Sequence, residues 1–204
     1  LLILLPAVFF FFTDFSALST GKRLLASFFQ SVTPRTAGYN TVTLSAMSGA
    51  SQGIMILLML IGGSPGSTAG GIKTTTLAVL LANTAATFRQ RENAQFFGRR
   101  IDFSAVKTAA TILTMYLTLF FGGAVFISVY EDLTLSACLY ETASAVGTVG
   151  LTLGITPQLH IPSQIVLIML MYLGRVGGLT LIYAAFSGKK INGAKLPQEK
   201  IMIG

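Results

Sequence analysis

Apolar runs alternate with short polar breaks along the whole chain, and their lengths sort them into three kinds. Residues 1–12, 103–130 and 161–187 are nearly continuous hydrophobic runs. A helix needs about 20 apolar residues to cross a bilayer, so the last two predict complete spans and the first predicts the cut end of one. Residues 48–88 are long enough to cross but are broken in the middle by "GGSPGSTAGGIKTTT", residues 62–76. Two further segments, "KRLLASFFQSVTPRTAGYNT" (22–41) and "LTLSACLYETASAVGTVGLT" (133–152), are too short and too polar to span. Each reads as a short amphipathic helix followed by an irregular, glycine-bearing strand.

Those two short segments are copies of one pattern. With Gly38 set over Gly150, "TAGYN" lies over "TVGLT" and Gln30 over Thr142. A long apolar tract follows each. The order is therefore span, short helix, loop, span, twice over, and both units start on the same side, which makes them parallel repeats.

Irregular backbone at membrane depth must be shielded by protein or line water, because each unpaired N–H or C=O costs several kcal/mol in lipid. Glycine can adopt dihedrals that turn carbonyls toward a common axis, where they replace an ion's hydration shell. The preceding short helix would aim its negative C-terminal end at the cavity, favouring a cation. The pattern predicts that the backbone carbonyls of Thr36, Ala37, Gly38 and Tyr39, and of Thr148, Val149, Gly150 and Leu151, coordinate the ion. "TVG" also repeats the start of the potassium-channel filter signature. Neither loop has that signature's second glycine, since Tyr39-Asn40 and Leu151-Thr152 stand where Tyr-Gly would. This leaves room for fewer ion sites and weaker discrimination against sodium. A symmetric carbonyl ring needs about four loops, so two more must come from elsewhere.

Composition fixes the solvent. Hydrophobic residues make up 52% of the chain and charged residues 10%, against about 25% charged in a soluble domain; the mean hydropathy is +0.72. These values predict an integral membrane protein. The net charge of +7 is concentrated in two places. Arg89, Arg91, Arg99, Arg100 and Lys107 lie in or beside the polar connection 89–102, and Lys189, Lys190, Lys195 and Lys200 lie in the tail. Both follow long apolar tracts, as cytoplasmic segments do under the positive-inside rule. The opposite side carries Asp14, Lys22, Arg23, Glu131, Asp132 and the lone His160, with no comparable basic excess. No basic patch interleaved with aromatics is read here, so nucleic acid is not expected as a partner. A single cysteine, Cys138, excludes an intrachain disulfide and offers no zinc or redox motif.

The glycine-rich break resembles a phosphate cradle at first reading, yet a Walker loop requires Gly-Lys-Ser/Thr, and Ile72 separates Gly71 from Lys73. No nucleotide is expected on this chain. Nor is there a Ser/His/Asp set, a carboxylate pair or metal-ligand spacing, so no enzyme is expected. Arg175, in "YLGRVGGLT", is flanked by apolar sequence, and a charge there is expensive unless it faces a cavity or a partner. It is expected to face the pore, the alternative being a buried pair with Glu141. Arg35 is read as a support for the first loop and not as an ion ligand. Lys73 is placed in an inner vestibule.

"SVTPRTAGYNT", "GGSPGSTAGGIKTTT", "SAVGTVGLTLG" and "GRVGGLTL" together resemble the Trk/Ktr/HKT superfamily of potassium transporters, most closely the membrane subunit of bacterial Ktr systems. The resemblance covers nearly the whole chain. It implies an all-α integral membrane fold of repeated span, pore-helix, filter-loop and span units as in potassium channels, with one broken inner helix. Four such units surround a central pore in that family, and these motifs match the third and fourth, the C-terminal half. Residues 1–88 would be the third repeat, truncated at its N-terminus, 89–102 a cytoplasmic linker, 103–188 the fourth repeat and 189–204 a cytoplasmic tail.

By the same resemblance the broken helix carries an intramembrane gate of Gly62, Gly63, Ser64, Pro65, Gly66, Ser67, Thr68, Ala69, Gly70 and Gly71, with Arg175 near it in the closed pore. The residues agree: five glycines and a proline unwind a helix, and Ser64, Ser67 and Thr68 can satisfy freed backbone groups. A static kink is the plainer alternative. The function implied is potassium uptake across the bacterial cell membrane by a multi-pass protein, with sodium as a second candidate ion. Membrane lipid surrounds it, and the implied partners are a second copy in a homodimer and a cytosolic nucleotide-binding regulatory ring, the tail lying at the dimer contact or against the ring. A secondary transporter binding a solute at the broken helix is the other class. It predicts one discontinuous helix per repeat, whereas "LIMLMYLGRVGGLTLI" is only mildly interrupted.

Overall fold

A computed structural model describes residues 1–91, 93–96 and 98–177. Seven helices carry most of it: α1 (Leu4–Thr13), α2 (Thr20–Val32), α3 (Gly49–Leu60), α4 (Thr74–Phe88), α5 (Phe103–Glu131), α6 (Leu135–Val146) and α7 (Ile161–Val176). A two-stranded hairpin, β1 (Gln95–Phe96) and β2 (Arg99–Arg100), joins α4 to α5. The sequence reading had this connection only as a polar linker; its two arms pair antiparallel, Gln95 with Arg100 and Phe96 with Arg99. Among the described residues α5 is the one helix long and apolar enough to cross a membrane alone. The expected last span continues past Val176 into residues outside those described, as does the tail 189–204.

The tract 48–88 forms two helices. Ser48 caps α3 by accepting a hydrogen bond from the Ser51 amide (3.2 Å), satisfying one of the free N–H groups of the first turn. Asp14, just past α1, accepts from the Ser48 amide (2.7 Å) and from Thr13 and Ser51 hydroxyls, so one carboxylate ties the end of α1 to the start of α3. At its other end α3 stops before the glycines. Ile61 and Ile72 form a parallel bridge, with Gly62 N–H donating to the Ile72 carbonyl (2.8 Å) and Ile72 N–H to that of Leu60 (2.9 Å). The chain thus loops out over residues 62–71 and resumes beside the point where it left.

Helix α6 is the centre of the packing. From Tyr140 to Val146 every residue is buried, enclosed by α3, α5 and α7. One apolar cluster joins Phe10, Met55, Met59, Tyr140 and Val149; a second joins Tyr116, Ile127, Cys138, Val146 and Leu167. Backbones approach closely through glycine: a Cβ on Gly174 would lie 2.0 Å from the Val146 carbonyl, and one on Gly147 would lie 2.4 Å from that of Met59. The equivalent helix α2 is packed on α1 but leaves Leu24, Leu25 and Phe28 exposed. Large apolar side chains also cover the outside of α1, α5 and α7, among them Leu5, Phe12, Val129, Ile168 and Tyr172. Such surface is costly in water, at roughly 25 cal/mol per Å², and costs nothing against lipid.

Candidate functional site

The two loops that follow α2 and α6 share an uncommon backbone. Thr36 has φ +68° and Gly38 +71°; at the equivalent places in the second unit, Thr148 has φ +52° and Gly150 +92°. A β-branched residue at positive φ is strained by about 1–3 kcal/mol, and strain of this kind collects at functional sites. Its recurrence at the repeat spacing makes it a property of the unit. The intervening Ala37 and Val149 lie outside the positive-φ set, so the sign of φ alternates in both loops. Of the eight carbonyls from 36 to 39 and 148 to 151, seven accept no hydrogen bond among the described residues. The exception is Tyr39, whose carbonyl accepts from the Thr33 hydroxyl (2.6 Å) and is held toward the end of α2. The Thr148 hydroxyl is buried without a partner.

Each loop is braced from behind. Gly38 packs against the other loop so closely that a Cβ there would lie 2.0 Å from the Val149 carbonyl. In the second unit the Ser144 hydroxyl accepts from the Gly150 amide (3.1 Å). Glu141, 4% exposed, accepts from the Thr152 hydroxyl (2.6 Å), the Leu153 amide (3.0 Å) and the Thr156 hydroxyl (2.7 Å). Glu141 entered the sequence reading only as an alternative partner for Arg175; the structure gives it to the loop instead. A lone carboxylate in an apolar helix is itself a signal of such a role. A polar cavity of about 510 Å³, lined by residues 40–45 and 152–154, lies between the two loops on their far side.

The segment 62–71 lies at the other end of the second loop. Gly70 approaches it with no space for a side chain, since a Cβ would meet the Thr148 hydroxyl at 2.3 Å and the Gly147 carbonyl at 3.0 Å. Gly62 is packed as tightly on the Gly70 carbonyl (1.9 Å to an added Cβ), so the excursion closes on itself. Within it, Ser64, Pro65, Gly66 and Ser67 make a turn in which the Ser67 amide (3.1 Å) and hydroxyl (2.6 Å) both donate to the Ser64 carbonyl. Gly63 faces Ser67 and Ala69.

Three cations hold this segment. Arg35 donates to the Gly62 carbonyl (3.3 Å), Arg175 to that of Thr68, and Lys73 to those of Ser67 (3.3 Å) and Ala69. Lys73, expected in an inner vestibule, lines a cavity and is at the same time tied to the excursion. Arg35 supports the excursion, where the sequence reading had it supporting its own loop. Arg175 stands between two cavities. One, about 360 Å³, is lined by Ser144, Thr148, Val149, Gly150 and Met171; the other, about 530 Å³, is bounded by residues 65–71, α5 and Gly174. His160 is exposed at the start of α7, its Nδ1 2.7 Å from Glu131, and takes no part in the site. Among the described residues no cluster of His, Cys, Asp or Glu could hold a metal ion.

The arrangement is two loops whose carbonyls, Tyr39 excepted, accept no hydrogen bond among the described residues, with the excursion 62–71 and the Arg175 guanidinium beside the second. A family model described as "TrkH: Cation transport protein" matches residues 2–194. The chain belongs to the TrkH cation transport protein family. It is 43% identical over 191 residues to the potassium/sodium uptake protein NtpJ of Enterococcus hirae, covering 90% of this chain and 42% of that protein. With the Ktr system potassium uptake protein B of Bacillus subtilis it shares 35% over 182 residues, 89% of this chain and 41% of the other. The crystal structure of the potassium transporter TrkH from Vibrio parahaemolyticus superposes with a TM-score of 0.76 over 90% of this chain and 42% of that one; at 20% identity this shows the fold. The chain thus spans less than half the length of these TrkH-family relatives, in keeping with the two repeats read from its sequence.

Proposed function

We propose that this chain supplies two of the carbonyl-lined filter loops of a potassium uptake path, and that residues 62–71 with Arg175 form its gate. The observation that carries the reading is the pair of matching, strained loops, one per repeat, whose carbonyls have no protein donors among the described residues except at Tyr39. Val149 and Leu151 are buried and their carbonyls accept no hydrogen bond among the described residues; unpaired groups of buried residues call for a partner, and a cation on the axis between the loops is one that carbonyls satisfy. Thr36, Ala37, Gly38, Thr148, Val149, Gly150 and Leu151 are the primary ligands, with Tyr39 sharing its carbonyl with Thr33. Potassium is the ion, and sodium competes because neither loop carries the second glycine. The names of the relatives, potassium/sodium uptake and potassium uptake, support this choice.

In this reading the protein crosses the cell membrane several times. α2 and α6 are pore helices, and the exposed Leu24, Leu25 and Phe28 await a neighbouring unit. A homodimer and a cytosolic nucleotide-binding ring, which would carry any nucleotide, are its partners, and the tail 189–204 is their contact. The solute-transporter alternative asks for one broken helix per repeat; the strained loops repeated once per unit favour the ion path instead. Uptake of radioactive rubidium into vesicles holding the full-length protein tests the proposal. Rubidium entry displaced by potassium and untouched by amino acids is expected; entry of a labelled amino acid with no rubidium flux would sink it.

A further inference from the structure

The junction of α4 and α5 is a strongly charged surface that the ion path does not use. Beyond Phe88 the chain folds back on its own helix: the Arg91 amide donates to the Ala86 carbonyl (2.9 Å), Ala94 is buried, and the hairpin sets Gln95 opposite Arg100 and Phe96 opposite Arg99. Arg89, Arg91, Arg99 and Arg100 are all exposed. Among the described residues none has a carboxylate within ion-pair distance; Asp102, which accepts from Ser104, feels the Arg100 charge from further off. Phe88 (84% exposed), Phe96 (47%) and Phe103 (77%) share this end. The earlier reading of no basic patch interleaved with aromatics is therefore corrected: "FRQRENAQFFGRRIDF" is one. It borders helices whose outer faces are apolar, which places it at a membrane–water boundary.

Between the hairpin and α4 lies a cavity of about 320 Å³. Its long wall is apolar, made by Ala78, Leu81, Ala82 and Ala85, and its end carries Arg89 and Arg91. A free phosphate would leave the apolar wall wet, and a neutral lipid would leave both guanidiniums unpaired. We propose that this groove binds an anionic phospholipid of the inner leaflet, its phosphate on Arg89 and Arg91 and an acyl chain along Leu81 and the alanines of α4. Arg99 and Arg100 then face neighbouring headgroups. The inference rests on the membrane reading above.

The test uses the full-length protein purified in detergent, with phosphatidylglycerol or phosphatidylcholine added and bound lipid counted by native mass spectrometry. Phosphatidylglycerol is expected to be retained over phosphatidylcholine. The R89Q/R91Q pair should weaken it about 25-fold, about fivefold for each charge near the surface, whereas R89K/R91K keeps it. Raising the ionic strength should release phosphatidylglycerol from the unmodified protein, an arm that needs no variant to fold. Equal retention of both lipids, retention unchanged in the glutamine pair, or displacement by millimolar inorganic phosphate or a short oligonucleotide would overturn the proposal, the last two marking a soluble-anion site. A protein that stays monodisperse without detergent would instead bring down the membrane reading itself.

Discussion

Gly38 and Gly150 occupy equivalent places in the two loops, yet their surroundings differ. Both have positive φ, so a side chain at either costs about 1–2 kcal/mol in backbone strain. Nothing lies within 4 Å of a Cβ added to Gly150, whereas one on Gly38 meets the Val149 carbonyl at 2.0 Å. Gly38→Ala must therefore displace a carbonyl of the other loop. It is expected to abolish the potassium-over-sodium preference in rubidium competition assays, with Gly150→Ala keeping most of it; equal effects would remove the close approach as the cause. The sequence made both glycines legible because they recur at one offset. It marked Glu141 as an isolated carboxylate but not its partners, because Thr152, Leu153 and Thr156 lie beyond the end of its own helix and depend on how the loop returns over α6. Glu141→Ala removes three hydrogen bonds, each worth about 0.5–1.5 kcal/mol, or about 1.5–3 where the partner is charged. Glu141→Gln retains an acceptor for Thr152 and Leu153. A drop in melting temperature large for alanine and small for glutamine is expected, and the reverse order would show that the charge, not the hydrogen bonds, braces the loop.

At the scale of elements the informative contrast is between the two second-half helices. One is interrupted between α3 and α4; the other, α7, is continuous from Ile161 to Val176 among the described residues, and its Arg175 reaches the Thr68 carbonyl of the interruption. Glycine and proline content exposed the break in the sequence, and an isolated charge exposed Arg175; their meeting, so far apart along the chain, needed the fold. The hairpin at 95–100 went unread because its strands are too short for any periodicity. A cation about 4 Å from a guanidinium meets a barrier of about 4 kcal/mol at an effective dielectric near 20. Arg175→Ala and deletion of residues 64–69 should each raise rubidium flux, and together gain less than the sum, because both remove one obstruction. Strictly additive gains would separate them into independent features. The α1–α3 junction is an element-scale pH sensor of a simpler kind. Burial raises the Asp14 pKa, but hydrogen bonds from Ser48, Ser51 and Thr13 outweigh it and hold the carboxyl below its ordinary 3.8. A group depressed on folding stabilises above its unfolded pKa and loses that contribution as the pH falls through the folded one. Melting temperature should thus fall below about pH 4, more steeply for the unmodified protein than for Asp14→Asn; parallel profiles would clear Asp14 of the effect.

For the whole molecule, the question is which way each unit crosses the bilayer. Helix α5, 29 residues long, extends about 43 Å at 1.5 Å per residue, enough for a hydrocarbon core of about 30 Å. Helices α3 and α4, 12 and 15 residues, reach only about 18 and 22 Å, so neither crosses alone. The parallel bridge between Ile61 and Ile72 carries the chain onward in one direction, and in the proposed topology the two together cross. Asp14, Ser45, Glu131, His160 and Gln158 then lie at one end, and the arginines of the hairpin lie at the other, as the basic excess requires. Parallel repeats put both loop mouths on the same side, whereas inverted repeats would put them on opposite sides. The molecule offers a clean readout, since its single cysteine, Cys138, is fully buried. Ser45→Cys and Gln158→Cys, both exposed and each just beyond one of the two loops, should react with a membrane-impermeant maleimide in intact cells. Gln95→Cys, exposed in the hairpin, should react only after permeabilisation. Labelling of Ser45→Cys and Gln158→Cys from opposite sides would make the units inverted, and with that no common axis would remain for the carbonyls of the two loops to share.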